Sequence, residues 1–327
     1  MNSTGGHTFS VIIPSFNEEA HIGRCLESVL AAGGGDIRFE VIVVDNGSGD
    51  GTCAIARESG VRVIENTSGK RKTISLLRNT GARASTGSVL VFVDADMLLP
   101  ANWLREAKEY FEGGFKGAFA FSLAVPGDAG WVARNWWPSP TGNRLKNVDF
   151  ISGRNFFVNR DVFFEVDGFD ETLTTNEDKD LTFRVLKGGY RAVVSSGLSF
   201  IHLGCERNLV EFVKKEYWRQ STTLLFARRW GFSLRTLRSP AMSLWHLLFF
   251  AVSLYCALCQ PYSATLVAVG AWIFPSMAKA VSKAGLKRLH TLAPVFFFLT
   301  FLRWHVAGLS LIAQVLRGSP FIKGKRG

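Results

Sequence analysis

Four short apolar runs punctuate the first hundred residues: Phe9–Pro14, Glu40–Asp45, Val61–Glu65 and Val89–Val93. The second and fourth are nearly continuous in Val, Ile, Leu and Phe, the pattern of a strand buried on both faces. Between the runs, apolar positions recur at helical spacing. Ile22, Leu26, Val29 and Leu30 follow a helix start at Asn17-Glu18-Glu19, a second helix is predicted near Thr52–Ser59, and a third over 73–85. Such a β-α-β-α-β-α-β order predicts a parallel sheet with right-handed crossovers. Ligands of such sheets bind beyond the carboxyl ends of the strands, so the turns after Pro14, Asp45 and Asp94 should line one crevice.

The pattern from 101 to 204 is less regular. It predicts a helix at Trp103–Phe111, a strand at Gly117–Ala124, a mobile loop at Trp131–Asn147 and a strand at Phe156–Val158. A helix at Arg160–Val166, another at Asp178–Lys187 capped by Thr175 or Asn176, and a last strand at Tyr190–Val194 follow. Beyond 204 the character changes, with long apolar runs at 241–259, 262–278 and 292–316.

Charge sharpens that division. Of the 327 residues, 1–204 carry 21 Lys+Arg against 24 Asp+Glu, a net −3, and 205–327 carry 17 against 3, a net +14. No acidic residue follows Glu216. Basic charge interleaved with apolar runs of that length fits the inner face of a membrane and argues against a nucleic-acid surface, because Lys and Arg meet anionic headgroups while the runs enter lipid. The first apolar run is too short for a signal peptide, which places the N-terminal part in the cytosol. Cys25, Cys53, Cys205, Cys256 and Cys259 show no paired or zinc-binding spacing and read as free thiols. The expected domains are therefore 1–204 catalytic, 205–240 basic amphipathic helices at the interface, and 241–327 membrane-embedded helices with a basic tail.

Asp94-Ala-Asp96, at the end of the fourth strand, has the chemistry of a clamp for a divalent cation and a diphosphate, since hard cations take oxygen ligands. The other motifs occur in order: Val11-Ile-Ile-Pro-Ser-Phe-Asn-Glu18, Val44-Asp-Asn-Gly-Ser-Gly-Asp-Gly-Thr52, Arg78-Asn79-x-Gly81, Ser152-Gly-Arg-Asn155, Asp167-Gly-Phe-Asp-Glu171 and Asn176-Glu-Asp-Lys-Asp-Leu181. Together they resemble a family-2 glycosyltransferase of the GT-A fold, membrane-associated bacterial type. The fold class this implies is α/β, a Rossmann-like and mostly parallel sheet followed by C-terminal membrane-associated helices. The resemblance implies a donor-nucleotide site of Pro14, Phe16, Glu18, Asp45, Asn46, Arg78 and Asp94, and a Mn2+ or Mg2+ site of Asp96, Asp94 and His202. It further implies an acid pair, Glu177 and Asp178, with Asp178 as general base, and an acceptor or sugar side at Ser152, Arg154 and Asn155.

Each residue also has a plainer reading. Phe16 can stack on a base or belong to the core. Asp45 and Asn46 can contact base or ribose or simply form an Asx turn. Arg78, with Lys70, Arg71 or Lys72, can neutralise a diphosphate or sit on a solvated face. Asp178 in a first helical turn favours the ionised form, yet helix starts collect acids anyway. A lone His202 is often structural, and Asp180 with Arg184 reads as a helix-surface pair. Asp167 stands where the family commonly has Gly, which affects loop geometry. Phe226 stands where processive synthases carry the Gln of Gln-x-x-Arg-Trp, so Arg228-Arg-Trp230 disfavours chain extension. The expectation is inverting, metal-dependent transfer of one sugar from a nucleotide-diphosphate sugar to a lipid-linked or membrane-proximal acceptor at the cytoplasmic face of the inner membrane. A non-catalytic nucleotide-sugar-binding scaffold is the rival. In the membrane part, 241–259 and 262–278 read as a hairpin turning at Gln260-Pro261, and 292–316 as an interfacial or re-entrant segment that keeps the basic tail inside.

Overall fold

The computed structural model describes residues 8–32, 37–137, 145–231, 233–284 and 289–316. Two compact units emerge: Met1–Asp128 with Ser139–Cys205, and Ala129–Pro138 with Glu206–Gly327. The first unit ends at Cys205, and the second resumes at Glu206. The segment 129–138, however, lies in the second unit although its sequence neighbours lie in the first.

The first unit is a nine-stranded mixed sheet. Strands β1 (Phe9–Ser15), β2 (Phe39–Asp45), β3 (Arg62–Glu65) and β4 (Val89–Val93) pair in parallel in the order β3-β2-β1-β4. Helices α1 (Ile22–Leu30), α2 (Thr52–Glu58) and α3 (Ile74–Ala84) make the crossovers. α1 starts later than Asn17-Glu18-Glu19 suggests. Asn17 takes a left-handed φ of 53°, and the Glu18 carbonyl accepts the His21 and Ile22 N–H groups ahead of the helix. Two apolar layers sandwich the sheet. Val11, Ile13, Val91 and Val93 face one, and Ile12, Leu90 and Phe92 face the other, as alternation along a strand requires.

Beyond β4 the sheet turns mixed. β8 (Asn155–Asn159) runs antiparallel to β4 and β6 (Gly117–Ala124), and β6 pairs in parallel with β9 (Arg191–His202). β9 continues eight residues past the expected Val194. Its end is paired antiparallel by the two-residue β5 (Met97–Leu98), which sets Met97 opposite His202. The expected mobile loop Trp131–Asn147 is corrected at both ends: Trp131–Trp136 is helix α5, and Leu145–Asn147 is strand β7 on β9. Residues 138–144 of that loop lie outside the described ones. Helices α4 (Trp103–Glu112), α6 (Arg160–Glu165) and α7 (Glu177–Lys187) complete the unit. α7 is not capped by a side chain; Asn176 precedes it in the left-handed region at φ 62°. Asp180 pairs with Arg184 as the spacing suggests, but Asp180 is fully buried, so the pair lies inside rather than on the helix surface.

The second unit is helical: α5, α8 (Leu209–Arg219), α9 (Thr223–Trp230), α10 (Leu234–Cys259), α11 (Tyr262–Ala284) and α12 (Leu289–Leu316). The 205–240 boundary falls inside α10, which starts at a Ser233/Thr236 capping box and runs through Pro240. Three windows, Thr236–Cys259, Tyr262–Lys283 and Ala293–Leu316, are long and apolar enough to cross a membrane. The turn at Gln260-Pro261 separates the first two as expected, whereas α12 is unbroken, so the 292–316 run does not double back within the described residues.

Candidate functional site

Asp45 closes β2, and its carboxylate is already engaged. Oδ2 accepts the Gly47 and Ser48 N–H groups at 2.9 and 2.7 Å, while Oδ1 accepts the Ser48 and Ser15 hydroxyls at 2.6 and 2.9 Å. At 1% exposure it organises the glycine-rich turn. Burial would raise its pKa, but the hydrogen bonds from Ser48 and Ser15 outweigh it and hold the carboxyl below its ordinary value. Asn46 pins the 66–72 loop: its Nδ2 donates to the Lys72 carbonyl at 3.0 Å, and its Oδ1 accepts from Lys72 N at 2.9 Å and Asn66 Nδ2 at 3.0 Å. Pro14 is buried in β1. Phe16, half-buried beyond it, carries the Arg71 guanidinium 3.7 Å from its ring centroid. Glu18 N–H donates to Thr52 Oγ1 at 2.8 Å, joining the first turn to α2.

Arg78 is the hub of the opposite side. The guanidinium, 2% exposed, donates from one terminal nitrogen to Glu177 Oε1 and from the other to Asp94 Oδ1, each at 2.8 Å. It thereby ties the end of β4 to the start of α7 and does not stand open to solvent as a free diphosphate-binding cation. The following Asn79 holds the 167–171 loop, accepting from Phe169 N at 2.9 Å and donating to the Phe169 carbonyl at 2.8 Å. Asp167, in place of the family's common Gly, takes the left-handed φ of 63° that this loop needs. Gly81 lets α3 lie against β1, since a Cβ there would fall 2.4 Å from Ile12 Cγ2.

The acid pair sits beside this bridge. Asp178 accepts the Gly153 N–H at Oδ2 (2.9 Å) and the Lys179 N–H at Oδ1 (2.8 Å). Gly153 has a second duty: a Cβ there would lie 2.7 Å from both terminal nitrogens of Arg78. The Glu177 carboxyl is pushed up to about 7, by burial first and the neighbouring Asp178 charge second, against the pull of Arg78. Burial likewise pushes Asp178 up, in spite of the Gly153 and Lys179 N–H groups and the charges of Arg78 and Arg154. This corrects the expectation that the helix start favours its ionised form; desolvation outweighs the helix terminus.

Asp96 faces His202 across the β5–β9 pairing, with Oδ2 and Nε2 3.1 Å apart. Burial raises the Asp96 pKa, but the hydrogen bond and charge of His202 and the charge of Arg154 hold it below the ordinary range. Its Oδ1 is buried without a partner, and a Cβ at Gly204 would sit 2.0 Å from Oδ2. Asp94 is turned to Arg78, so the three expected metal ligands do not form one cluster. Among the described residues no group of three or more His, Cys, Asp or Glu could hold a metal ion. Asp96 and His202 are the residues that would hold a divalent ion, since hard cations take oxygen ligands and the buried Asp96 Oδ1 has no partner.

On the expected acceptor side, Ser152 and Arg154 are half-buried, and the Arg154 charge acts on both Asp96 and Asp178. Asn155 does not face that side. Its amide bonds the backbone of Phe121 in β6, accepting from N at 3.2 Å and donating to O at 2.5 Å. Sequence reasoning missed Gly153 and Gly204. The first stood within a quoted motif, while nothing marked the second.

The model described as glycosyl transferase family 2 matches residues 10–169. Glycosyltransferase AglE of Haloferax volcanii is 31% identical over 224 residues, 64% of this chain and 70% of that protein. The chain belongs to glycosyl transferase family 2. This glycosyltransferase is 25% identical over 193 residues to the beta-monoglucosyldiacylglycerol synthase of Synechocystis, covering 54% of this chain and 39% of that one. Its fold is that of a mannosyltransferase from Pyrobaculum calidifontis solved with GDP-Man and Mn2+, with a TM-score of 0.60 at 19% identity over 97% of this chain and 89% of the other. The GT-A fold and a nucleotide-sugar donor follow from that membership.

Proposed function

We propose that this protein transfers one sugar, with inversion, from a nucleotide-diphosphate sugar to a lipid-linked acceptor at the cytoplasmic face of a membrane. The observation that carries this reading is the Asp94–Arg78–Glu177 bridge. It fixes the β4 end, where Asp96 and His202 would hold Mn2+ or Mg2+, relative to the start of α7, where Asp178 is partly exposed. Asp178 accepts the acceptor hydroxyl proton, and its N–H partners at Gly153 and Lys179 keep the carboxylate oriented. Arg78 is a positioning residue that also screens the two acids from each other. The divalent ion, when bound, would supply the positive charge that stabilises a diphosphate leaving group. Pro14, Phe16, Glu18, Asp45, Asn46 and Asp94 shape the donor side, with Asp45 and Asn46 acting through the turn they build. Ser152 and Arg154 border the acceptor.

A lipid acceptor is supported by the helical second unit and by the Synechocystis relative, whose name specifies a glucosyldiacylglycerol product. The test is transfer by the purified full-length protein, with a panel of nucleotide sugars and lipid acceptors. Asp96→Ala and Asp178→Asn should each lower kcat by about a hundredfold or more. Wild-type rates in both would remove the site assignment.

We also propose that α10 and α11 enter the bilayer while α12 lies at its cytoplasmic boundary. α12 is lined by the charged helix α8: Phe212 packs on Leu299, Arg303 pairs with Glu216, Ser310 Oγ donates to the Tyr217 carbonyl, and Gln314 Nε2 donates to the Gln220 carbonyl. A helix carrying exposed Lys214 cannot accompany those residues into hydrocarbon at small cost.

A further inference from the structure

The second unit contains an ionic network that is short of negative charge. Glu216, 1% exposed, pairs with Arg219 on its own helix and with Arg303 of α12, and Arg219 also reaches the fully buried Glu206. Trp137 Nε1 donates to the other Glu206 oxygen at 3.0 Å. Two carboxylates thus balance two guanidinium groups. Lys283, at the end of the α11 apolar window, has no such balance among the described residues. Its ammonium donates to the Trp136 carbonyl at 2.8 Å and lies 4.6 Å from the Trp136 ring and 4.4 Å from the Phe296 ring. Arg303 lies 5.5 Å from the same Trp136 ring, and Lys279, one turn before Lys283, is exposed. The third acid of the unit, Glu211, is spent on the Arg207 N–H at 3.0 Å.

We propose that Lys283, with Lys279 and the Trp136 platform, binds the phosphate of a membrane lipid. The ammonium, held by the Trp136 carbonyl against two aromatic rings, stays exposed and keeps protons that no carboxylate shares, so an outside anion can reach it. Depth agrees with this ligand. Trp136 links Lys283 to Arg303, which pairs with the charged helix α8, so the group belongs at the headgroup layer, where each Lys near an anionic surface contributes attraction. The phosphate is that of an anionic phospholipid or of a phosphorylated lipid acceptor; the latter source rests on the function proposed above.

The test uses full-length protein in nanodiscs of phosphatidylcholine, of phosphatidylcholine with phosphatidylglycerol, and of phosphatidylcholine with an isoprenyl monophosphate, scoring co-purifying lipid by native mass spectrometry. Lys283→Met, alone and with Lys279→Met, should retain at least fivefold less of the phosphate-bearing lipid, while Lys283→Arg retains it. Loss confined to the phosphatidylglycerol arm assigns a headgroup site, and loss in the isoprenyl monophosphate arm assigns an acceptor-phosphate site. Equal retention by Lys283→Met and wild type in both arms overturns the proposal. Hydrolysis of the nucleotide sugar by water, measured on the same samples, needs no acceptor and reports the catalytic unit separately. If it is unchanged while lipid retention is also unchanged, the lipid site fails and the catalytic reading stands.

Discussion

Arg78 shows why residue chemistry and residue role differ in this protein. The guanidinium suits a diphosphate, but in the fold its two ends are committed to Asp94 and Glu177. The consequence reaches the acid pair, a buried Glu177 beside a half-buried Asp178, both raised in pKa, Glu177 to about 7. A base must be ionised to accept a proton, and burial raises Asp178, so transfer should weaken as pH falls, with an acid limb above the ordinary carboxylate range. The rise at Asp178 comes from burial and not from the Glu177 charge, so Glu177→Gln should leave the acid limb of the kcat/KM profile in place. A limb that moves would show that the Glu177 charge governs it. Of the expected site residues, Asp96, His202, Arg78, Glu177 and Asp178 were legible as types at a spacing. That Asn155 bonds a neighbouring strand, and that Gly204 clears space for Asp96, was not legible, because each depends on a chain segment remote in sequence.

At the scale of elements, periodicity located the buried strands and most helices because burial on two faces or one leaves a local pattern. It failed where pairing is made by distant partners. β5 is two residues long and exists through β9, and β7 is fully exposed in pattern yet pairs with β9 as well. α5 was hidden in a stretch rich in Trp, Pro and Gly, and its anchors, Glu206, Phe212 and Lys283, come from the second unit to which it belongs. The α8–α12 pairing yields a stability test. Glu216→Gln leaves Arg303 without its carboxylate and Arg219 with one of two, and removing one partner of a buried ion pair costs about 3–5 kcal/mol. Thermal unfolding in detergent should show that loss; an unchanged midpoint would mean the pairs carry no net stability.

For the whole molecule, the open question in the sequence was the third apolar run, since a crossing there would carry Lys323 to Arg326 outward. α12 is continuous and long enough to cross, yet a charged helix lies along it. A tag at the C-terminus should therefore be cleaved by protease in inverted membrane vesicles and protected in intact cells; the reverse pattern would make α12 a crossing helix. The sequence by itself determined the α/β catalytic class, the acidic motifs in order and the basic, apolar second part, because strand burial, motif spacing and charge are local properties of a chain. Only the tertiary structure decided that Arg78 bridges Asp94 and Glu177, that burial raises the Glu177–Asp178 pair, and that 129–138 joins the helical unit. Those outcomes depend on which remote side chains exclude water and supply partners, and that is set by packing.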